Sequence, residues 1–594
     1  MKSIHLTEEK KNTVRRIAER YVFPLLLLVY PLVMINQGID VSDPTYSLTN
    51  FRFFTENSGT WALATWLANV VGFLMMRLPF GGTLIGMNFY TGLLVSAMAL
   101  LSYCFLKGKM PAWMAFTGEI IAISYCWCPT TILYNYLTYF FFLLGCILLY
   151  RGLIWERKGL LIWAGVCMGL NVMVRTPNIV EALLIVAVFY YGRIAGQKLS
   201  DCWKNTGWCV TGFLIGFLAA YAVISIQYGP TAYFGMFGSL AGYSATDATY
   251  SPFAMITSIL KAYGSTLVWV MVLAVCLGAG WIFFKILPEK FRNAGKVLYV
   301  CCIPVLVRLF WGRGMFTFTY YNYRSMYEWG MVLLYLVLIS CGLVLADSRY
   351  FKRDRLLALI VLLIVAVTPI GSNNETMPAL NNLFLAAPFA VWTMHRVLVR
   401  VSKKEIGFPA AALVGMILFM VLVQGIGFKT AFSFGDGIYG EKRDAKVENS
   451  DILKGMETRA ENAEKLTGLV EFLESDETIG ADRELITFGN APGLHFILDM
   501  SPGISHSWPD LDTYPAVQMQ EELDAIGNGQ DMPVVVVYKE AGGVTENGLL
   551  NGSSAADSYG RELSIHKKYR MLESFLMENG YTLMYENDGY QVFG

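Results

Sequence analysis

Histidine and charge are scarce in this chain. Its 594 residues include five histidines: His5, His395, His495, His506 and His566. There is no HExxH, no Walker A loop and no Cys/His zinc spacing, which argues against a membrane zinc protease or an ATP-driven pump. Only 15% of residues are charged, where soluble chains carry about 25%. All 11 cysteines precede residue 342, mostly within apolar runs, so the C-terminal part needs no disulfide framework. Cys126 and Cys128 in "CWC" read as buried free thiols, with a pair as the alternative.

Apolar sequence is what abounds. The chain is 55% hydrophobic with a mean hydropathy of +0.46. Its apolar runs recur at lengths that span a hydrocarbon core of about 30 Å. Spans are expected at 21–36, 83–106, 111–127, 131–150, 159–174, 178–192, 207–227, 263–284, 297–311, 327–346, 356–371, 379–395 and 408–428, thirteen in all. The pair at 159–174 and 178–192, split only by "RTPN", is also readable as re-entrant, which makes eleven and leaves later orientation unchanged. The run Tyr21–Ile35 reads as a retained helix, because a long charged segment precedes it and no small-residue cleavage site follows.

The formal net charge of zero conceals a split. Residues 1–428 carry 33 Lys/Arg against 17 Asp/Glu, and residues 429–594 carry 13 against 29. A boundary near Lys429 is expected, between a basic membrane unit (1–428) and an acidic unit (429–594). With the N-terminus inside, the alternate segments assigned to the cytoplasm hold 26 Lys/Arg. The short outer segments hold seven at most: Arg52, Arg77, Arg175, Lys261, Arg313, Arg324 and Arg308 at a helix end. This is the positive-inside pattern, and an odd helix count then puts the acidic unit outside.

The outer loops hold the polar residues. Residues 37–82 form a long first loop whose second half, "TWALATWLANVVGFLMMRLPF", reads as an interfacial helix. Residues 228–262, the aromatic and basic 312–326, and "GSNNET" at 371–376 follow. In the acidic unit, 441–478 is helix-permissive, "RELITFG" and "MPVVVVYK" read as strands, and "APGLHFILD" begins a helix. "SIHKKYRMLESFLMEN" is an amphipathic helix and "YTLMYENDGYQVFG" a hairpin. The fold class is therefore an all-α polytopic membrane domain of about 13 spans with a small extracytoplasmic α/β domain.

The outer inventory is carboxylates, arginines and aromatics. Asp40, Asp43 and Glu56 lie in the first loop and Asp247 in the second, with Arg52, Arg175, Arg308, Arg313 and Arg324 near the same face. A carboxylate can take the proton of an attacking hydroxyl. Arginines bind phosphate bidentately and stabilise its departure. Tyrosine and tryptophan suit sugar rings and the headgroup zone. This set fits a phosphate-linked sugar on a lipid as donor and an acceptor arriving from outside. His495 and His506 near Asp510 and Asp512 make a hydrogen-bonded loop or a metal site. Glu119, mid-helix, is either protonated and hydrogen-bonded or faces a cavity.

The layout resembles the GT-C superfamily of polyprenyl-phosphate-sugar glycosyltransferases, which includes protein O-mannosyltransferases (glycosyltransferase family 39) and aminoarabinose transferases. The points of likeness are a basic N-terminus, one helix, a long outer loop with an early acidic motif, many helices and a small outer domain. "DPTY" keeps Asp43 and Tyr46 of the superfamily's Asp-Glu-x-x-Tyr, with Pro44 where a second acid would stand. "VMVRTPN" supplies a basic-plus-Pro motif in Arg175 and Pro177. The resemblance implies Asp43 as general base with Asp40 next, in an inverting displacement. It implies donor-phosphate binding by Arg175, Arg313, Arg324 and Arg52, and a lining of Tyr46, Asn50, Asn178, Asp247, Tyr320, Tyr321 and Asn373. No metal ligand is assigned, and a divalent metal stays open.

Each residue also has a plainer role. Asp43 before Pro44 suits a turn. Arg175 can pair with Glu181 or snorkel to headgroups. The aromatics at 316–323 suit an interfacial belt. The competing functions are a lipid-sugar transporter or flippase, a surface-polysaccharide polymerase or ligase, and a non-catalytic assembly protein. No internal repeat of the kind common in transporters is evident. Expected partners are the polyprenyl-phosphate sugar, an extracytoplasmic acceptor and membrane lipid, with no nucleic acid.

Overall fold

The computed structural model describes residues 8–56, 60–127, 131–237, 252–402, 407–476, 479, 483–511, 514–526, 532–539 and 564–594. Among these, eight helices are long and apolar enough to cross a membrane. They are Leu84–Leu106, Leu133–Ile154, Thr176–Ala195, Leu199–Tyr228, Phe253–Ile286, Glu289–Gly312, Arg324–Ala346 and Ala410–Ala431. The other five expected spans are shorter helices, such as Ala112–Tyr125 and Lys158–Val174. The expectation of thirteen therefore stands at eight full-length spans and five short helical segments.

Small residues let the helices approach closely. Lys158–Val174 lies against Leu199–Tyr228 through two facing glycine pairs. A β-carbon at Gly165 would stand 2.0 Å from Cys209 O and one at Gly169 2.2 Å from Phe213 O. In return, one at Gly212 would stand 1.9 Å from Ile162 O. This is the small-xxx-small contact, in which backbone packing replaces the hydrophobic drive that lipid removes. The bundle core gathers Tyr103, Tyr125, Phe142, Trp329 and Phe384, all fully buried.

Glu119 is fully buried beside Ser102. Ser102 Oγ lies 2.5 Å from both Glu119 Oε1 and Phe384 O. The Ser102 hydroxyl is thus the hydrogen-bond partner of the buried carboxyl. The ten described cysteines are free thiols; Cys128 lies outside the described residues.

The C-terminal region is the small α/β unit expected. Strands β1 (Leu485–Phe488), β2 (Val534–Tyr538), β3 (Leu583–Glu586) and β4 (Tyr590–Phe593) form one sheet in the order β1-β2-β4-β3. The β1–β2 pair is parallel, with Leu485 opposite Val534, and the others are antiparallel. The first two strands are almost wholly buried, as continuous apolar runs predict. Helix Ser564–Glu578 matches expectation, and helix Ala516–Ala525 was not foreseen.

One expectation needs correcting. The stretch 441–478 is not helical throughout: helix starts only at Ala460. Between 441 and 459 lies Gly455, a poor helix former, and the backbones of Ala445, Glu457 and Thr458 pair in bridges instead.

The second half of the 37–82 loop is helical, as Thr60–Ala64 and Trp66–Met75. It packs on Leu133–Ile154 and Lys158–Val174. At Gly72 a β-carbon would fall 2.3 Å from the Phe51 ring, so this helix presses on the first-loop helix Asp43–Arg52.

Candidate active site

The stretch that follows the first apolar helix leaves it after Leu32 and is captured by the C-terminal region. Glu457 N donates to Asn36 O, and Gly38 N to Glu457 O, both at 2.7 Å. Ile39 N donates to Asp436 Oδ2 at 3.0 Å. Asp436 is fully buried; its carboxylate also accepts from Thr458 Oγ1 and, at 3.1 Å, from Arg459 Nε. A buried carboxylate is tolerable only when its lone pairs are filled. Here the donors come from the first loop and the C-terminal region together.

Asp43 opens helix Asp43–Arg52, with Pro44 in its first turn. Proline suits that position because its missing N–H would have no intrahelical partner. The Asp-Pro pair is thus a helix start. At the other end, Arg52 Nε and Nη2 grip the Asp499 carboxylate at 2.7 and 2.6 Å. Along the side, Gly493 N donates to Val41 O at 2.8 Å and Thr49 Oγ1 to Pro492 O at 2.9 Å. A β-carbon on Gly493 would stand 1.8 Å from Thr45 Oγ1, so the approach requires glycine there.

This clamp fixes two carboxylates. Asp40 is half-buried, and its Oδ2 accepts from Ser42 N at 3.1 Å and Ser42 Oγ at 2.6 Å. Burial, aided by the charges of Asp43 and Asp436, pushes Asp40 up to about 7 against the pull of those hydrogen bonds. Asp43 keeps solvent contact, and its carboxylate has no hydrogen-bond partner among the described residues. Crowding by surrounding protein raises it, while the helix N-terminus acts in the opposite sense.

Asp40 lines a partly enclosed cavity whose walls include Gln37, Asn88, Trp127, Lys429 and Phe432. Trp127 is held edge-on to Phe432 at 4.7 Å and to Phe428 at 5.2 Å. Lys429 sits near the end of Ala410–Ala431. The cavity thus joins a carboxyl near neutrality, an ammonium, amides and an aromatic wall at the end of an apolar helix. Such a set can bind an anionic, hydroxyl-bearing molecule and move a proton.

No family model matches the sequence, and no curated protein does. Among solved structures, AglB, an archaeal oligosaccharyltransferase from Archaeoglobus fulgidus in complex with an inhibitory peptide and a dolichol-phosphate, matches at 11% identity and a TM-score of 0.44. The match covers 89% of this chain and 69% of AglB. The apo form of the Archaeoglobus fulgidus oligosaccharyltransferase gives 10% identity and a TM-score of 0.45, over 90% of this chain and 70% of that one. ArnT from Cupriavidus metallidurans bound to undecaprenyl phosphate gives 9% identity and a TM-score of 0.38, over 98% of each chain. The chain resembles an oligosaccharyltransferase and ArnT. Identities of 9–11% leave the chemistry to this chain's own residues.

The other residues singled out from sequence scatter. Tyr46 stacks on His506, with centroids 5.8 Å apart and planes 15° apart, and meets Trp508 edge-on at 5.3 Å. Asn50 hydrogen-bonds Tyr46. Both therefore sit in the contact between loop helix and C-terminal region. Arg175 caps Lys158–Val174 in an extended conformation, and its Nη2 donates to Gly371 O. The pairing of Arg175 with Glu181 is not formed; Glu181 Oε2 accepts from Asn171 Nδ2 at 2.7 Å. Asn178 is buried on Thr138 Oγ1 at 2.7 Å. Arg313, Arg324, Tyr321 and Asn373 are exposed, and the Tyr320 hydroxyl donates to Val423 O at 3.4 Å. Asp247 and Asp512 lie outside the described residues.

His495 and His506 form a hydrogen-bonded loop. The Nδ1 of His495 lies 3.3 Å from Met500 O, and Nδ1 of His506 accepts from Trp508 N at 3.0 Å. Burial pushes both down to about 3, which keeps them neutral. No group of three His, Cys, Asp or Glu among the described residues is placed to hold a metal.

Sequence reasoning missed Lys429, Asn88 and Trp127 on the cavity wall. Lys429 had a signal of its own: it is the basic residue in the last turn of the last apolar helix. Nothing in the sequence distinguished Asn88 or Trp127.

Proposed function

We propose that this chain is an integral membrane glycosyltransferase. It moves a sugar from a polyprenyl-phosphate-linked donor to an acceptor hydroxyl on the outer side of the membrane. Residues 1–428 form the membrane unit and residues 429–594 an outer unit that holds the first loop in place. The observation that carries this function is the aspartate pair, clamped by both units, with Asp40 on a cavity it shares with Lys429.

The two carboxylates divide the work. Asp40, near 7, is the member that retains a proton more readily, so the negative charge of the pair rests mainly on Asp43. Asp43, open to solvent and free of hydrogen bonds, takes the proton of the acceptor hydroxyl. The hydroxyl oxygen attacks the anomeric carbon while the bond to the lipid phosphate oxygen breaks and its electron pair leaves with the phosphate. One displacement inverts the anomeric configuration and needs no covalent intermediate.

Asp43→Asn in proteoliposomes carrying a labelled polyprenyl-phosphate sugar should abolish transfer while expression and melting temperature hold. Transfer that survives in the Asp40→Asn, Asp43→Asn double variant would refute the base assignment. Flux of the labelled lipid without transfer would place the protein among transporters instead.

A further inference from the structure

The cavity beside Asp40 contains two polar groups whose needs the protein leaves unmet. Lys429 has neither an ion-pair nor a hydrogen-bond partner among the described residues, although it is half-buried. Asn88 is 3% exposed. Its Nδ2 donates to Ile35 O at 2.8 Å, while its Oδ1 receives no hydrogen bond. Burying an ammonium or an amide oxygen without a partner is costly, and a fold retains such groups where a ligand completes them. The missing complement is an anion together with a hydrogen-bond donor, which a sugar phosphate supplies in one molecule.

The arginines expected to hold phosphate are placed differently. Arg52 is spent on Asp499, and Arg175 is bonded to Gly371 O. Arg313 and Arg324 are exposed, and none of the four is on the cavity wall. Lys429 shares that wall with Asp40 yet makes no ion pair with it. It stands in the last turn of an apolar helix, the level at which a lipid-borne phosphate meets the protein.

We infer that Lys429 is the counter-ion for the donor's lipid phosphate, holding it in the Asp40 cavity and stabilising the charge it gains as the sugar leaves. This rests on the glycosyltransferase function proposed above and names a residue within it. When the glycosidic C–O bond breaks, its electron pair goes to the phosphate oxygen, and the acceptor proton goes to Asp43. Lys429 transfers nothing; its fixed positive charge opposes the growing negative one.

The test is binding of undecaprenyl phosphate, read as thermal stabilisation of the full-length protein in detergent, with undecaprenol as the uncharged control. Wild type and Lys429→Arg should be stabilised by the phosphate and not by the alcohol. Lys429→Gln should bind it roughly tenfold more weakly or worse, the loss expected for one charge-assisted hydrogen bond. Lys429→Met serves if the glutamine variant does not fold. Equal binding by wild type and Lys429→Gln would overturn the role of Lys429 and leave the donor class standing. Equal stabilisation by phosphate and alcohol would also overturn it, because charge would then contribute nothing. No stabilisation of the wild type by either lipid would remove the donor class, and this inference with it.

Discussion

Replacing Asp40 by asparagine should stabilise the protein most at pH 8, by progressively less as pH falls, with roughly a third of the gain left at pH 5 and none below about pH 4. The carboxyl titrates at about 7 in the folded chain and at its ordinary 3.8 in the unfolded one. Between those values the folded state holds a proton that the unfolded state has released. The resulting stabilisation is complete below about pH 4 and is lost as pH rises through 7. At pH 8 the folded state carries a poorly solvated anion that the amide does not have. The full gap corresponds to about 4 kcal/mol. Asp40 is only half-buried and water relaxes around it, so about 2 kcal/mol is the figure to expect. The amide oxygen can still accept from Ser42 N and Oγ, so little else is lost.

The assay is a tryptophan-fluorescence melt in detergent from pH 5 to pH 8, compared as variant minus wild type. The subtraction matters because other groups titrate in or near this window. Asp510 is pushed up to about 6, and His495 and His506 down to about 3. Their contributions cancel in the difference. A gain of about 2 kcal/mol amounts to about one to two degrees for a chain of this size, and it should appear alongside a loss of transfer, the usual trade between stability and activity. A variant less stable than wild type at pH 8, or two parallel curves, would refute the account of Asp40.

Three further substitutions probe the clamp, and one fusion probes orientation. Asp436→Asn leaves Arg459 without its buried partner and should cost about 3 kcal/mol, seen as a lower melting temperature and earlier proteolysis of the C-terminal region. Gly493→Ala puts a methyl group 1.8 Å from Thr45 Oγ1 and should cost about 1–3 kcal/mol by overpacking, again read by melting. Arg52→Ala breaks a half-exposed pair with Asp499 and should cost under about 1 kcal/mol; a larger drop would show that Arg52 does more than tie the loop. A reporter active only outside the cytoplasm, fused after residue 428, should be active, and an inactive fusion would reverse the proposed orientation.

Much of the architecture was legible because hydrophobic length and periodicity are local properties. All thirteen apolar stretches became helical, and "RELITFG" and "MPVVVVYK" became β1 and β2. The shorter segments fell below full spanning length at sites where the chain must turn, as at Arg175 and Thr176 between two helical runs. The stretch before Ala460 was misread as helix-permissive because composition does not reveal that its backbone bonds to residues 36–38. The candidate site was only half legible. Asp40 and Asp43 stood out as acids at a membrane exit. Arg52 and Tyr46 looked like ligand-facing groups, yet both face the C-terminal region through Asp499 and His506.

By itself the sequence determined the class of the protein: a multi-pass helical bundle followed by a small acidic α/β unit. Apolar runs in lipid have no alternative to satisfying their backbone internally, and an alternating or continuous apolar strand has few places to go. Only the tertiary structure decided which polar groups are spent on the fold and which are left for a ligand. Whether a carboxylate or a lysine has a partner depends on residues hundreds of positions away: Asp436 answers to Ile39, and Lys429 shares a cavity with Asp40. Burial and unmet charge are properties of that three-dimensional arrangement, and no local pattern encodes them.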